Sequence, residues 1–182
     1  SLNVDGLALM LVALTSFLVP LIILTTFGKE IANPKSFYSL ILLMEFGLLG
    51  VFMASDGFLF YIFWEVALIP IYFIALLWGD NRDQEFRSRA IFKFFVYTLA
   101  GSLLMLGAFI YIYTRTGGFA IGQLYNANLS DHEQSILFWA FFAAFAIKIP
   151  IFPFHTWQPE TYKEAPSAGT MLLAGIMLKM GL

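Results

Sequence analysis

Apolar runs of nearly twenty residues or more, parted by short polar clusters, constrain this chain more than any other feature. A helix that crosses a bilayer needs roughly 17–25 mostly apolar residues. The sequence offers six such stretches: 6–27, 37–53, 58–78, 90–113, a fifth that begins near Ser135 and is interrupted around Pro150 and Pro153, and a sixth that starts near Pro166. In lipid only helices and closed barrels satisfy the backbone, and these runs lack the alternation of barrel strands. The expected fold is therefore all-α: a polytopic membrane helix bundle of about six transmembrane helices, one of them discontinuous. Composition agrees. The chain is 60% hydrophobic and 12% charged, against about 25% charged in a soluble domain.

Much chemistry is excluded. The chain has no cysteine, so it forms no disulfide, thiolate nucleophile or cysteine-held iron–sulfur cluster of its own. It contains no glycine-rich dinucleotide fingerprint, P-loop, HExxH or nucleophile elbow. The two histidines, His132 and His155, are far apart in sequence and argue against a haem or metal site. Nothing resembles a basic, aromatic-interleaved patch for nucleic acid. No basic segment precedes the run from Leu7, so it does not read as a signal peptide. A chain that opens on Ser1 and stops at Leu182 inside an apolar run reads as a piece of something longer.

The loops carry an orientation signal. If the spans alternate, one side receives Lys29, Lys35, Arg82, Arg87, Arg89, Lys93 and Lys163, and the other receives Arg115 with Asp56, Asp131 and Glu133. The positive-inside rule places the first side, including the 79–89 loop, in the cytoplasm or organellar matrix, and the N-terminus on the outer side. Arg82, Arg87 and Arg89 read most simply as topology determinants. Asp56 reads as a helix cap, His132 as a solvated residue, and Phe141 and Phe142 as lipid-facing or packing residues.

Four charges fall inside the spans. Glu45 lies about 12 Å into the second, Glu65 about 10 Å into the third, and Lys148 and Lys179 each about 20 Å into the fifth and sixth, at 1.5 Å per residue. A charge at mid-bilayer costs about 2.5–3.5 kcal/mol on insertion scales. Two readings stand. A buried Glu and Lys can pair simply to hold helices together, although such pairs rarely gain net stability over apolar packing. Alternatively they move protons. Desolvation favours the neutral form of either group, and a nearby opposite charge favours the ionised form. A Glu–Lys couple can thus be switched between loaded and unloaded states by small rearrangements.

The interruption supports the second reading. Pro150 and Pro153 remove two backbone donors and clash with the preceding turn. A broken helix at membrane depth is tolerated where it is buried in protein or lines a wet cavity, and transporters place ion sites there. The alternative is a plain helix end. Lys148 stands directly before the break, and His155, just after it, is either a proton relay or an interfacial structural histidine. Pro166 suits the first turn of the sixth helix.

The run FLFYIFWEVALIPIYF from Phe58 to Phe73 resembles the glutamate-bearing helix of the antiporter-like proton-translocating subunits of respiratory complex I, NADH:quinone oxidoreductase. The pattern Trp64-Glu65 followed by Leu68-Ile69-Pro70-Ile71-Tyr72 is most similar to the M-type, or chain 4, members. The segments FAIKIP at Phe145 to Pro150, PFHTWQP at Pro153 to Pro159, EAPSAGT at Glu164 to Thr170 and LAGIMLK at Leu173 to Lys179 continue the likeness, as does Asp5-Gly6-Leu7. Homologous subunits also occur in multisubunit cation/proton antiporters and membrane-bound hydrogenases.

The resemblance implies several things that spacing alone does not. Family members are built around two inverted five-helix repeats. This chain would hold one preceding helix and the first repeat. Lys148 matches the channel lysine of the discontinuous helix, Glu65 the glutamate that pairs with it, Lys179 the connecting lysine and Glu45 a glutamate of the preceding helix. The implied activity is proton translocation with no redox cofactor in this chain. NADH, FMN, iron–sulfur clusters and quinone would belong to partner subunits. The implied partners are the lipid bilayer, protons and the other membrane subunits, antiporter-like paralogues among them. The implied location is a bacterial inner membrane or an organellar inner membrane.

Overall fold

The structure is a computed structural model describing residues 2–79 and 83–182. Eight α-helices are formed among the described residues: α1 Gly6–Leu24, α2 Pro34–Met53, α3 Gly57–Trp78, α4 Gln84–Thr116, α5 Ile121–Tyr125, α6 Asp131–Lys148, α7 Trp157–Glu164 and α8 Ser167–Gly175. Two 3-10 turns, Phe154–Thr156 and Met177–Gly181, complete the order. Four helices are long and apolar enough to cross a membrane, α1 to α4. The fifth and sixth expected spans do not meet that measure as single helices, for local reasons. α6 is broken at Lys148, and the sixth run bends out of α-geometry at Ile176, where φ is −130° and ψ −50°.

Helix ends follow ordinary chemistry. Asp5, Asp56 and Asp83 each accept backbone N–H bonds in the first turn of α1, α3 and α4, satisfying donors that a helix start leaves orphaned. Asp56 is thus a cap, as its position suggested. Ser130 and Glu133 form a reciprocal capping box on α6. Gly117, at φ +73°, ends α4 in the left-handed conformation that costs glycine least. α4 runs 33 residues, about 50 Å at 1.5 Å per residue, so it protrudes beyond the 90–113 span expected from hydropathy.

The ends of the bundle segregate. Leu2 pairs with Ala54, Asp56 with Ala120, and Gly57 N–H donates to the Phe119 carbonyl, which gathers the N-terminal segment and the α2–α3 and α4–α5 loops at one end. At the other, the Trp78 indole donates to the Ala32 carbonyl and Arg87 donates to the Gly79 carbonyl. Lys93 bridges Glu160 at 2.9 Å and the Thr156 carbonyl at 3.2 Å. Lys29, Lys35, Arg89, Lys93 and Lys163 therefore share the second end, as the loop count expected. Arg82 lies outside the described residues.

Arg87 departs from a simple surface topology determinant. Its side chain is buried and tied to the backbone where α3 gives way to the next loop. Glu164, also buried, packs at the same end, with Lys163 3.7 Å away.

The core is made by α2, α3, α4, α6, α8 and the last turn, with Val19 and Ile22 of α1 and Trp157 of α7. Where α2 crosses α3, Gly47 and Gly50 have no room for a side chain of their own. A Cβ on Gly47 would meet the Ala67 backbone nitrogen at 2.9 Å, and one on Gly50 would meet the Phe63 ring at 2.2 Å. Such close backbone approach is how helices gain contact in lipid, where the hydrophobic effect gives no drive between them. α1 keeps Leu7, Leu9, Met10 and Phe17 exposed, as a helix against lipid or a partner would.

At the first end, Tyr111, Arg115 and Glu133 lock α4 to α6. Tyr111 and Arg115 both donate to Glu133 Oε1, and the Ser130 N–H and hydroxyl donate to Oε2. The Tyr111 hydrogen bond, then those from Ser130, then the Arg115 charge hold the Glu133 carboxyl down at about 2, from its ordinary 4.5. A depressed carboxylate contributes stability that is present above the unfolded value and fades as pH falls toward the folded one. Thermal unfolding of wild type and Glu133→Gln in detergent is expected to show a gap at neutral pH that closes between 4.5 and about 2. A gap that does not change with pH would count against this clamp.

Candidate functional site

The site forms where α3, α4 and α6 meet at mid-bundle. A Cβ on Gly101, near the centre of α4, would meet Ile147 Cδ1 at 2.9 Å and Ala144 Cα at 3.3 Å. Lys148 follows directly and is the last residue of α6. It is 2% exposed and ranks among the largest fully buried side chains. Its Nζ has no hydrogen-bond partner. It lies instead over the Trp64 ring, 4.9 Å from the centroid.

Glu65 is the carboxylate whose charge acts on Lys148. It follows Trp64 on α3, and consecutive residues of a helix point about 100° apart. Its Oε1 is sealed from solvent with no hydrogen-bond partner, and no ion pair within 4 Å joins it to Lys148 among the described residues. Tyr61, one turn earlier, faces both Glu65 and Ser102 of α4. Pro70, one turn later, has no N–H to give the Val66 carbonyl, so the α3 ladder is interrupted beside the glutamate. Buried polar groups are ordinarily satisfied. Lys148 Nζ and Glu65 Oε1, each without a hydrogen-bond partner and at Coulombic but not contact range, form an open pair.

The break that follows Lys148 is held by its own contacts. Ile149 caps α6, and the Ile151 N–H donates to the Ala146 carbonyl. The fully buried Trp157 indole donates to the Ile147 carbonyl at 3.0 Å and packs on Phe94, ring centroids 4.9 Å apart. One of the carbonyls that a continued helix would have satisfied, that of Ile147, is thus reached from α7. Trp157→Phe keeps most of the packing and removes the donor. It is expected to destabilise the protein by about 1–3 kcal/mol, the cost of an unsatisfied buried acceptor. A thermal midpoint unchanged from wild type would show that the indole does not hold the break.

Of the five residues expected from the sequence to carry protons, the structure brings Glu65 and Lys148 together. His155 stands just past the break in the 3-10 turn, its Nδ1 buried without a partner and its ring 5.6 Å from Phe152. Glu45 is half-buried on α2. Lys179 lies in the last 3-10 turn and donates to the Ala174 carbonyl at 2.5 Å. No hydrogen bond or ion pair joins Glu45 or Lys179 to the Glu65–Lys148 pair among the described residues. Pro150 and Pro153 sit in the break itself, with the Phe152–Pro153 bond cis. Among the described residues no group of three potential metal-binding side chains occurs.

Sequence reasoning missed Tyr61 and Trp64. Their aromatic character looks like ordinary membrane packing. The available signal was their place on α3, one turn before Glu65 and next to it.

Residues 54–182 match the family described as NADH:quinone oxidoreductase/Mrp antiporter, TM. The chain is 45% identical over 181 residues to NADH-ubiquinone oxidoreductase chain 4 of Prototheca wickerhamii, covering 100% of this chain and 34% of the relative. It is 41% identical over 181 residues to NADH-quinone oxidoreductase subunit M of Rickettsia bellii, covering 98% of this chain and 36% of the relative. A chain of respiratory complex I from Thermus thermophilus superposes with a TM-score of 0.82 at 35% identity, over 99% of this chain and 37% of that one. The chain thus spans about a third of the length of the curated relatives it matches. By a match over more than half its length, it belongs to the NADH:quinone oxidoreductase/Mrp antiporter membrane-subunit family.

Proposed function

We propose that the chain is part of a proton-translocating membrane subunit of an NADH:quinone oxidoreductase, and that Glu65 and Lys148 carry the proton step. The open pair beside a broken helix carries this reading. Lys148 has no hydrogen bond to give up when it releases its proton. With Glu65 ionised and close, the ammonium is favoured; with Glu65 protonated or farther away, the neutral amine is favoured. The break ends α6 at the lysine and places His155 in the following 3-10 turn, next to Thr156, whose carbonyl accepts from Lys93 of the lysine-rich end. That end is assigned to the cytoplasm or matrix by the positive-inside rule, with the N-terminus outside.

Lys179 and Glu45 are assigned to the continuation of this route, toward a second repeat and a neighbouring subunit. In this reading the chain is non-redox. NADH, FMN, iron–sulfur clusters and quinone are held by partner subunits, and the chain covers the helix preceding the first inverted repeat together with that repeat.

The family's second activity, cation/proton antiport, is the alternative, because the same Glu and Lys would serve it. Purification of the tagged, full-length subunit from its native membrane separates the two. Co-purifying NADH:quinone reductase activity is expected. An intact assembly without flavin, iron–sulfur clusters or NADH oxidation would transfer the same residues to antiport.

A further inference from the structure

We propose that Trp64 is a positioning residue for proton transfer: its ring face is a second station for the Lys148 ammonium, alternative to Glu65. This rests on the reading of Lys148 as a proton carrier. Lys148 Nζ lies 4.9 Å from the Trp64 ring centroid and bonds to nothing else. Trp64 is 1% exposed, and its ring is fixed from two sides, by Phe60 at 5.5 Å and Phe145 at 5.8 Å. Phe145 is one turn before Lys148 on α6, so the same helix supplies the lysine and a wall of its aromatic seat.

A tryptophan face attracts a cation best among the aromatics, and more strongly when both are out of water. It differs from a carboxylate in one respect that suits a carrier. It holds the ammonium without accepting a hydrogen bond, so no acceptor competes for the proton. Because Trp64 and Glu65 are consecutive, their side chains leave α3 about 100° apart. A rotamer change of the long lysine side chain is the movement the proposal requires between them. At Glu65 the ammonium is paired with a carboxylate; over Trp64 it stays charged without a hydrogen-bond acceptor. The other charged group near this turn, Lys179, is turned to the Ala174 carbonyl and takes no part in either station.

The test uses the intact membrane complex in proteoliposomes, with protons translocated per NADH oxidised as the readout. Two substitutions, Trp64→Phe and Trp64→Leu, are compared with a ring-fluorinated tryptophan inserted at 64, which keeps the shape and weakens the ring's attraction for a cation. The expected order is wild type, then Trp64→Phe, then Trp64→Leu. The fluorinated ring is expected to lower translocation about five-fold, a partial loss of a contact whose full desolvated strength corresponds to roughly thirty-fold, at unchanged uncoupled NADH oxidation. Wild-type translocation with the fluorinated ring overturns the proposal, even if Trp64→Leu fails to assemble. Lys148→Ala is run alongside. Loss there with a flat Trp64 series rejects only the second station. Normal translocation in Lys148→Ala rejects the proton-carrier reading itself.

Discussion

Lys148→Ala in the assembled complex is expected to cut proton transfer through this subunit on the order of a hundred-fold, the scale of losing a positioned acid–base group. NADH oxidation measured with an uncoupler is expected to survive. Alanine also leaves a cavity and removes a buried cation, so assembly must be shown by native gel or by yield. Lys148→Arg is the informative comparison. Arginine keeps the charge and the contact with Trp64 but hardly releases a proton. It is expected to restore assembly without restoring transport, and to perform better than alanine only in so far as the charge organises the site. Transport equal to wild type in both variants would end the account.

Glu65→Gln should have the second largest effect, on the order of ten-fold or more in coupled translocation, since one pKa unit of altered Lys148 affinity is already a factor of ten. Glutamine preserves size and can still face Tyr61. What it removes is the carboxylate that acts on Lys148. A scaffold that uses buried charge only to hold helices predicts a different outcome. There, Glu65→Gln that assembles transports normally. Proton uptake into proteoliposomes during NADH oxidation distinguishes the two.

The parts of this architecture that follow from one-dimensional patterns were legible. Hydropathy located α1 to α4, Asp56 announced its own cap, and the loop lysines fell at one end. The pair of prolines after Lys148 was enough to foresee the break, because a missing N–H is a local property. Other features depend on contacts between distant segments. The Trp157 bond to the Ile147 carbonyl and the burial of Arg87 and Glu164 have no local signature. Six apolar runs gave four long unbroken apolar helices because a run counts residues and not backbone geometry. Pro150 was visible in the sequence, but the turn at Ile176 is set by packing of the last segment against α2 and α6. Glu65 and Lys148 stood out as charges in apolar runs. Trp64 could not, since an aromatic there has the same sequence appearance whether it faces lipid or an ammonium.

The central claim is that Glu65 and Lys148 act as one unit in moving a proton. A double-mutant cycle on proton translocation per NADH oxidised tests it most directly, using Glu65→Gln, Lys148→Ala and the combination in the intact complex. Groups that act together are grossly non-additive, so the double variant is predicted to lose no more than Lys148→Ala alone. If the two losses multiply, the residues act independently and the paired mechanism is contradicted.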